Sequence, residues 1–239
     1  MGKWQEMTKE ELETQYSPSR WSPRLDKDAV IEAHVQATSE ATHSAQMATQ
    51  TLLNVPYGLS EGEKLDVYLP KDLSETFPLV LYIHGGYWQF LSGVYLLGHS
   101  AGAHLAAMVL STDWKEFGVV PNIKGAFLVS GVYDLEPITH TYVNDVLHMS
   151  REVAQWNSPL KCVPELENRR ACQVLITVAQ HDSPEFCRQS QEYFEALRAA
   201  GWSASLLNIA DTDHFDVIEK LSQEDYLLTQ VILQMILKG

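Results

Sequence analysis

The sequence predicts an α/β fold, a mostly parallel sheet with helices on both faces, and three observations carry that reading. Four short runs, Pro78–Ile83, Val94–Leu97, Gly125–Val129 and Val174–Ala179, are almost continuously apolar, which suits strands buried on both faces. Helical periodicity occupies Ala103–Leu110, Glu185–Ala200 and, in pieces, Phe215–Leu237. The alternation of such strands with amphipathic helices is what α/β sheets require. A single run of this length is ambiguous between strand and buried helix, so the repetition decides the class.

Taken in order, residues 1–48 read as polar and helical. Asp28 is placed to cap a helix from Ala29 toward Ser44, and Ser17-Pro18-Ser19 and Ser22-Pro23 interrupt the chain before it. A strand is expected over Thr49–Val55, then a turn at Pro56-Tyr57-Gly58. Lys64–Leu69 alternates like a half-buried strand and is ended by Pro70. A further strand is expected over Ser203–Ile209. No repeat, low-complexity tract or long Pro/Gly/Ser linker divides the chain, which reads as one domain over 1–239, with 134–171 a candidate cap region.

Charge narrows the partners. The 239 residues carry 17 Lys and Arg against 31 Asp and Glu, a net charge of −14. Neutralising phosphates needs clustered cations, so neither nucleic acid nor an anionic membrane is expected as partner. The first thirty residues lack the apolar stretch of a secretory signal, and no apolar run is long enough to span a bilayer. Cys162, Cys172 and Cys187 form no CxxC pair and are odd in number, which suits a reduced, intracellular chain.

Gly98-His99-Ser100-Ala101-Gly102 fits G-x-S-x-G between an apolar run and a helix rich in small residues. Such a turn holds a serine in strained backbone, and its flanking positions must be small to avoid the neighbouring strands. The pattern alone is a roughly one-in-twenty chance match in this composition, so its strand–turn–helix setting carries the assignment. His84-Gly85-Gly86-Tyr87-Trp88 directly follows Ile83. Its glycines let N–H groups of Gly85, Gly86 or Tyr87 turn inward as an oxyanion hole together with that of Ala101; the plain alternative is a tight turn.

A serine nucleophile needs a base, and the base an orienting carboxylate. Among nine histidines, His214 stands out because Asp211-Thr212-Asp213-His214-Phe215 lies beyond a strand's carboxyl end, where open α/β sheets place functional residues. Asp182 follows the strand Val174–Ala179; its other reading is the N-cap of the helix opening at Pro184. Asp134, after the strand ending near Val129, is its rival. The order Ser100, Asp182, His214 is that of the hydrolases with a nucleophile elbow.

On these motifs, with Glu11-Leu12-Glu13-Thr14-Gln15-Tyr16-Ser17-Pro18-Ser19-Arg20-Trp21 and Asp182-Ser183-Pro184-Glu185-Phe186, the chain resembles the α/β-hydrolases, and within them the kynurenine formamidase (arylformamidase) family. The resemblance implies hydrolysis of N-formyl-L-kynurenine to L-kynurenine and formate in tryptophan catabolism, with no metal and no cofactor. It implies a triad of Ser100, Asp182 and His214, an oxyanion hole from Gly85, Gly86, Tyr87 and Ala101, and an aryl formamide or ester substrate placed near Trp88. A cytosolic homodimer, with the nucleus as a second location, is expected with it. Tyr142, Met149 and Trp156 in the cap region are candidate pocket aromatics and apolar walls, or local core.

The chain departs from the resembled fold at one place. There, a helix, a parallel strand and a second helix separate the oxyanion loop from the nucleophile strand, which needs on the order of 30 residues. Here only His84–Gly93, ten residues, separate Ile83 from Val94. A link of that length returns along a strand of about five residues but holds no helix that covers the sheet. The expectation is an internally deleted form lacking one internal strand and its flanking helices, with neighbours re-paired, apolar faces uncovered and catalysis impaired. The alternatives to an active formamidase are thus an impaired variant acting as a binding or dimerising partner, and a general carboxylesterase.

Overall fold

The structure, a computed structural model, describes residues 4–58, 63–70, 79–83, 94–118, 121–163 and 172–238. In chain order its elements are α1 (Lys9–Gln15), α2 (Ala29–Ala48), β1 (Gln50–Pro56), β2 (Lys64–Leu69), β3 (Leu79–Ile83), β4 (Val94–His99), α3 (Ala101–Ser111) and β5 (Ile123–Val129). There follow α4 (Asn144–Leu147), α5 (Arg151–Trp156), α6 (Pro159–Cys162), β6 (Gln173–Ala179), α7 (Pro184–Ala199), β7 (Ser203–Ile209), α8 (Asp216–Glu219) and α9 (Leu227–Lys238).

Strands β3 to β7 form a five-stranded sheet in sequential order, with every pair parallel. Alternation along the strands sorts side chains to two faces. Leu96, Ala126, Leu128, Val174 and Ile176 pack with Ala103, Ala107 and Leu110 of α3 and Tyr193 and Leu197 of α7. Tyr95, Leu97, Phe127, Val129 and Leu175 meet Val217 and Ile218 of α8 and Leu228 and Ile232 of α9 on the other face. The predicted α/β class, helices on both faces included, is what the chain adopts.

The expected boundaries shift by a few residues, and one cap is different. Helix α2 runs on to Ala48, and Asp28 at its N-terminus makes no side-chain cap bond. Asp26 takes that role: its Oδ1 accepts the N–H groups of Asp28 and Ala29, both at 3.1 Å. Asp28 already has helical backbone angles, φ −92° and ψ −43°, whereas a capping side chain needs an extended residue to fold back. Helix α1 carries a reciprocal capping box, Glu11 N–H to Thr8 Oγ1 at 3.2 Å and Thr8 N–H to Glu11 Oε2 at 2.7 Å.

Among the described residues the sheet ends at β3. Strands β1 and β2 pair antiparallel with each other, and among the described residues no ladder joins them to β3. Strand β3 pairs directly with β4, Leu79 opposite Val94 and Ile83 opposite Gly98. Val80 and Tyr82 of β3 stay 41% and 49% exposed, and no residue of β1 or β2 is buried. Residues 84–93, which connect β3 to β4, lie outside the described residues, as does the 164–171 part of the candidate cap.

Candidate active site

Ser100 sits between β4 and α3 with φ 55° and ψ −120°. Positive φ in a residue other than glycine costs about 1–3 kcal/mol and persists where its surroundings impose it. Here Ser100 N–H donates to Val129 O on β5 at 2.9 Å, and Ser100 O accepts from Ala103 and His104 N–H in the first turn of α3. The first glycine of the motif has a steric reason. A Cβ on Gly98 would lie 2.2 Å from Gly102 O and 2.7 Å from Ala103 N, both backbone atoms. Gly98→Ala is therefore expected to destabilise the fold by about 3 kcal/mol and to disorder the elbow; a denaturant midpoint shift checks the first and loss of Ser100 labelling the second.

Asp182 lies on the turn after β6, and His214 on the loop after β7. Both are buried, and His214 Nδ1 is 2.7 Å from Asp182 Oδ1. A carboxylate accepts, so Nδ1 carries the proton, and in the neutral ring the lone pair is on Nε2. The other carboxylate oxygen, Oδ2, accepts from Ser130 Oγ at 2.6 Å and Ala179 N–H at 2.9 Å. Asp182 does not cap α7; Ser183 does, its Oγ accepting Phe186 N–H at 3.4 Å. The rival Asp134 accepts Glu136 N–H at 3.1 Å and lies 3.8 Å from Lys161 Nζ, with no bond to His214.

His214 lies beside the elbow. The His99 and His214 rings are 4.7 Å apart, and His99 Nε2 is 2.7 Å from His214 O. A carbonyl only accepts, so His99 donates and joins the elbow to the loop of His214. Phe186 meets the His214 ring edge-on at 5.0 Å and Phe215 at 5.6 Å. Among the described residues Ser100 Oγ and His214 make no hydrogen bond within 3.5 Å, a link that in ligand-free hydrolases often tightens only with substrate bound. Gly85, Gly86, Tyr87 and Trp88 lie outside the described residues. Ala101 N–H opens α3, where helix geometry leaves it without an intrahelical acceptor. In the cap region Trp156 and Tyr142 are exposed, while Met149 packs against the cluster of Leu12, Tyr16 and Phe186.

Two participants carried no sequence signal of their own. Ser130, also at positive φ, 48°, reaches Asp182 through the β5–β6 pairing rather than through any motif. Arg24 reaches across 189 residues to Asp213, Nε to Oδ2 at 2.7 Å and a terminal nitrogen to Oδ1 at 3.2 Å. Burial opposes ionisation of Asp213, but hydrogen bonds from Arg24, Ser22 and the Asp216 and Phe215 N–H groups outweigh it and hold the carboxyl near 2 against the ordinary 3.8. Because the folded value is the lower one, the stability it contributes is complete above the unfolded pKa and is lost as pH falls through about 2. A melting-temperature series over that acid range should be flatter in Asp213→Asn than in the parent.

No described helix is long and apolar enough to cross a membrane. The prolyl oligopeptidase family model matches residues 81–232. Kynurenine formamidase of Danio rerio is 48% identical and that of Salmo salar 46%, each alignment covering 100% of both chains. The Danio alignment runs over 293 positions against 239 residues here, a difference of 54. A solved Silicibacter protein assigned as a thioesterase superposes with TM-score 0.72 at 23% identity, covering 93% of this chain and 99% of that one. Esterase B of Lactobacillus rhamnosis does so with TM-score 0.60 at 14% identity, covering 88% and 94%; both likenesses concern the fold. With an α/β sheet of this topology and full-length identity near one half to the fish enzymes, the chain belongs to the α/β-hydrolases of the prolyl oligopeptidase family and, among them, to the kynurenine formamidase family.

Proposed function

We propose that the chain hydrolyses N-formyl-L-kynurenine to L-kynurenine and formate by acyl transfer through Ser100. The observation that carries this is the 2.7 Å Asp182–His214 bond beside a strained Ser100 elbow in a member of this family. His214 Nε2 takes the Ser100 proton as Oγ attacks the formyl carbon. The oxyanion is met by Ala101 N–H and by N–H groups of the Gly85–Gly86–Tyr87 stretch. The tetrahedral species collapses as His214 protonates the departing aryl amine, leaving a formyl ester on Ser100. Water, deprotonated by His214, attacks that ester and releases formate. Asp182 keeps the Nδ1–H tautomer and stabilises the imidazolium. Trp88 is assigned to the aromatic part of the substrate, and 134–171 to a cap. No cofactor or metal enters the reaction, and the chain is taken to work as a cytosolic homodimer.

One observation favours a second reading, an impaired form acting as a binding or dimerising partner. Only ten residues precede Val94 after Ile83, the Danio alignment holds 54 positions without a residue here, and β3 keeps Val80 and Tyr82 exposed. Assay of the purified chain with N-formylkynurenine and with a simple aryl ester, Ser100→Ala as control, separates the readings. The formamidase reading expects Ser100-dependent turnover with preference for the formamide. A preference for the ester assigns a general carboxylesterase, and a cooperatively folded chain without Ser100-dependent turnover assigns the impaired form.

A further inference from the structure

Asp213 directly precedes His214 and is buried, 1% exposed, yet no step of the reaction uses it. Its carboxylate is gripped from two sides. Within its own loop, Oδ1 accepts the N–H groups of Phe215 and Asp216, each at 2.9 Å, and Asp213 N–H returns to Asp216 Oδ1 at 2.7 Å. From the N-terminal segment, Arg24 closes a two-pronged fork on both carboxylate oxygens, and Ser22 Oγ donates to Oδ2. The remaining guanidinium nitrogen reaches Glu219 Oε2 at 3.1 Å. Glu219 is held in turn by His34 of α2, Nδ1 to Oε1 at 2.7 Å.

We propose that Arg24 is a positioning residue for His214, a strap from the N-terminal segment that fixes the loop of the base and offsets its surrounding negative charge. The inference rests on His214 being the base. A bidentate guanidinium–carboxylate pair fixes the plane of the carboxylate as well as its place. Asp213 held so fixes the backbone from 213 to 216, and with it the direction from which His214 presents Nε2. The pair spans the chain from residue 24 to 213, so it ties a segment far from the sheet to the catalytic end of β7.

The electrostatic part follows from the groups around the imidazole. Asp182 faces it from the turn after β6 and His99 from β4. Asp213 and Asp216 belong to its own loop, and Lys220 Nζ sits 2.7 Å from Asp216 Oδ2. Behind Phe215 lie His34 and Glu219, and on α7 Cys187 Sγ lies 3.9 Å from Asp182 O. Deleting the guanidinium leaves Asp213 its Ser22 and backbone donors and Glu219 its His34 bond, but removes a positive charge from the loop that carries His214, which favours the protonated imidazole.

The test compares the parent with Arg24→Ala and Arg24→Lys. It reads kcat, KM and the pH profile of hydrolysis, and the pH titration of the His214 ring proton by NMR, a signal assigned by its loss in His214→Ala. For Arg24→Ala the expected result is a kcat lower by about tenfold or more with KM little changed. The acid limb and the ring titration should both move up by about half a pH unit. Arg24→Lys should restore the limb and only part of kcat, since it returns the charge without the fork. Parental kcat and titration in Arg24→Ala overturn the proposal. So does equal loss in both variants with the titration unmoved, which leaves Arg24 a stabilising role alone. A His214→Ala chain that keeps parental turnover overturns the reading of the site instead, while the ring titration still reports on the strap.

Discussion

Ser100→Ala is expected to lower kcat for N-formylkynurenine by about five orders of magnitude while the fold survives. In the proposed reaction the hydroxyl oxygen becomes bonded to the formyl carbon, and no neighbouring group substitutes for it: Ala101 is apolar and His99 is engaged with His214 O. Stability should change little or rise slightly, because Oγ makes no hydrogen bond among the described residues while the strained backbone is held by Val129 O and the first turn of α3. Steady-state kinetics beside a thermal melt separates the two quantities. A variant that loses its cooperative melt as well as its turnover would place Ser100 in the fold rather than in the reaction.

Asp182→Asn comes next, with an expected loss of about four orders of magnitude in kcat. The reason lies in the fixed partners of this side chain. Ala179 N–H and Ser130 Oγ both point at Oδ2, so the amide oxygen must occupy that position. The NH2 group then faces His214 Nδ1, which has to accept, and the imidazole proton moves to Nε2. A base protonated on the side that faces the nucleophile cannot take its proton. Burial is unchanged and the volume nearly so, hence KM should stay within a few-fold. The ring-nitrogen NMR pattern of His214 should report the reversed tautomer directly.

The contrast between what could and could not be read from sequence has a physical basis. Strands β4, β5 and β6 were legible because a strand buried on both faces must be apolar at nearly every position, as in Leu96–Leu97 and Phe127–Leu128. Ser100 and Asp182 stood out because each follows such a strand, and His214 because it follows the half-buried β7; a sheet delivers its loops to one end. The Asp26 cap was missed by two residues because Asp28 had already turned helical. Ser130 and Arg24 were invisible for a different reason. A serine after a strand and an arginine in a polar segment are ordinary by type, and their meaning lies in partners 52 and 189 residues away.

In β4 every central residue is buried, whereas in β3 Val80 and Tyr82 face solvent. Val80 and Tyr82 share one face of the sheet, and exposed apolar surface of that kind favours association. Residues 84–93 join β3 to β4, whereas Asp182 and His214 belong to the loops after β6 and β7.

The most direct test is active-site titration of the purified chain with an aryl fluorophosphonate, read by mass spectrometry of the Ser100 peptide alongside N-formylkynurenine turnover. Stoichiometric phosphonylation at Ser100, with turnover lost in proportion, is the predicted result. Turnover that survives full labelling, or a folded chain in which Ser100 stays unlabelled and no formate is released, would contradict it.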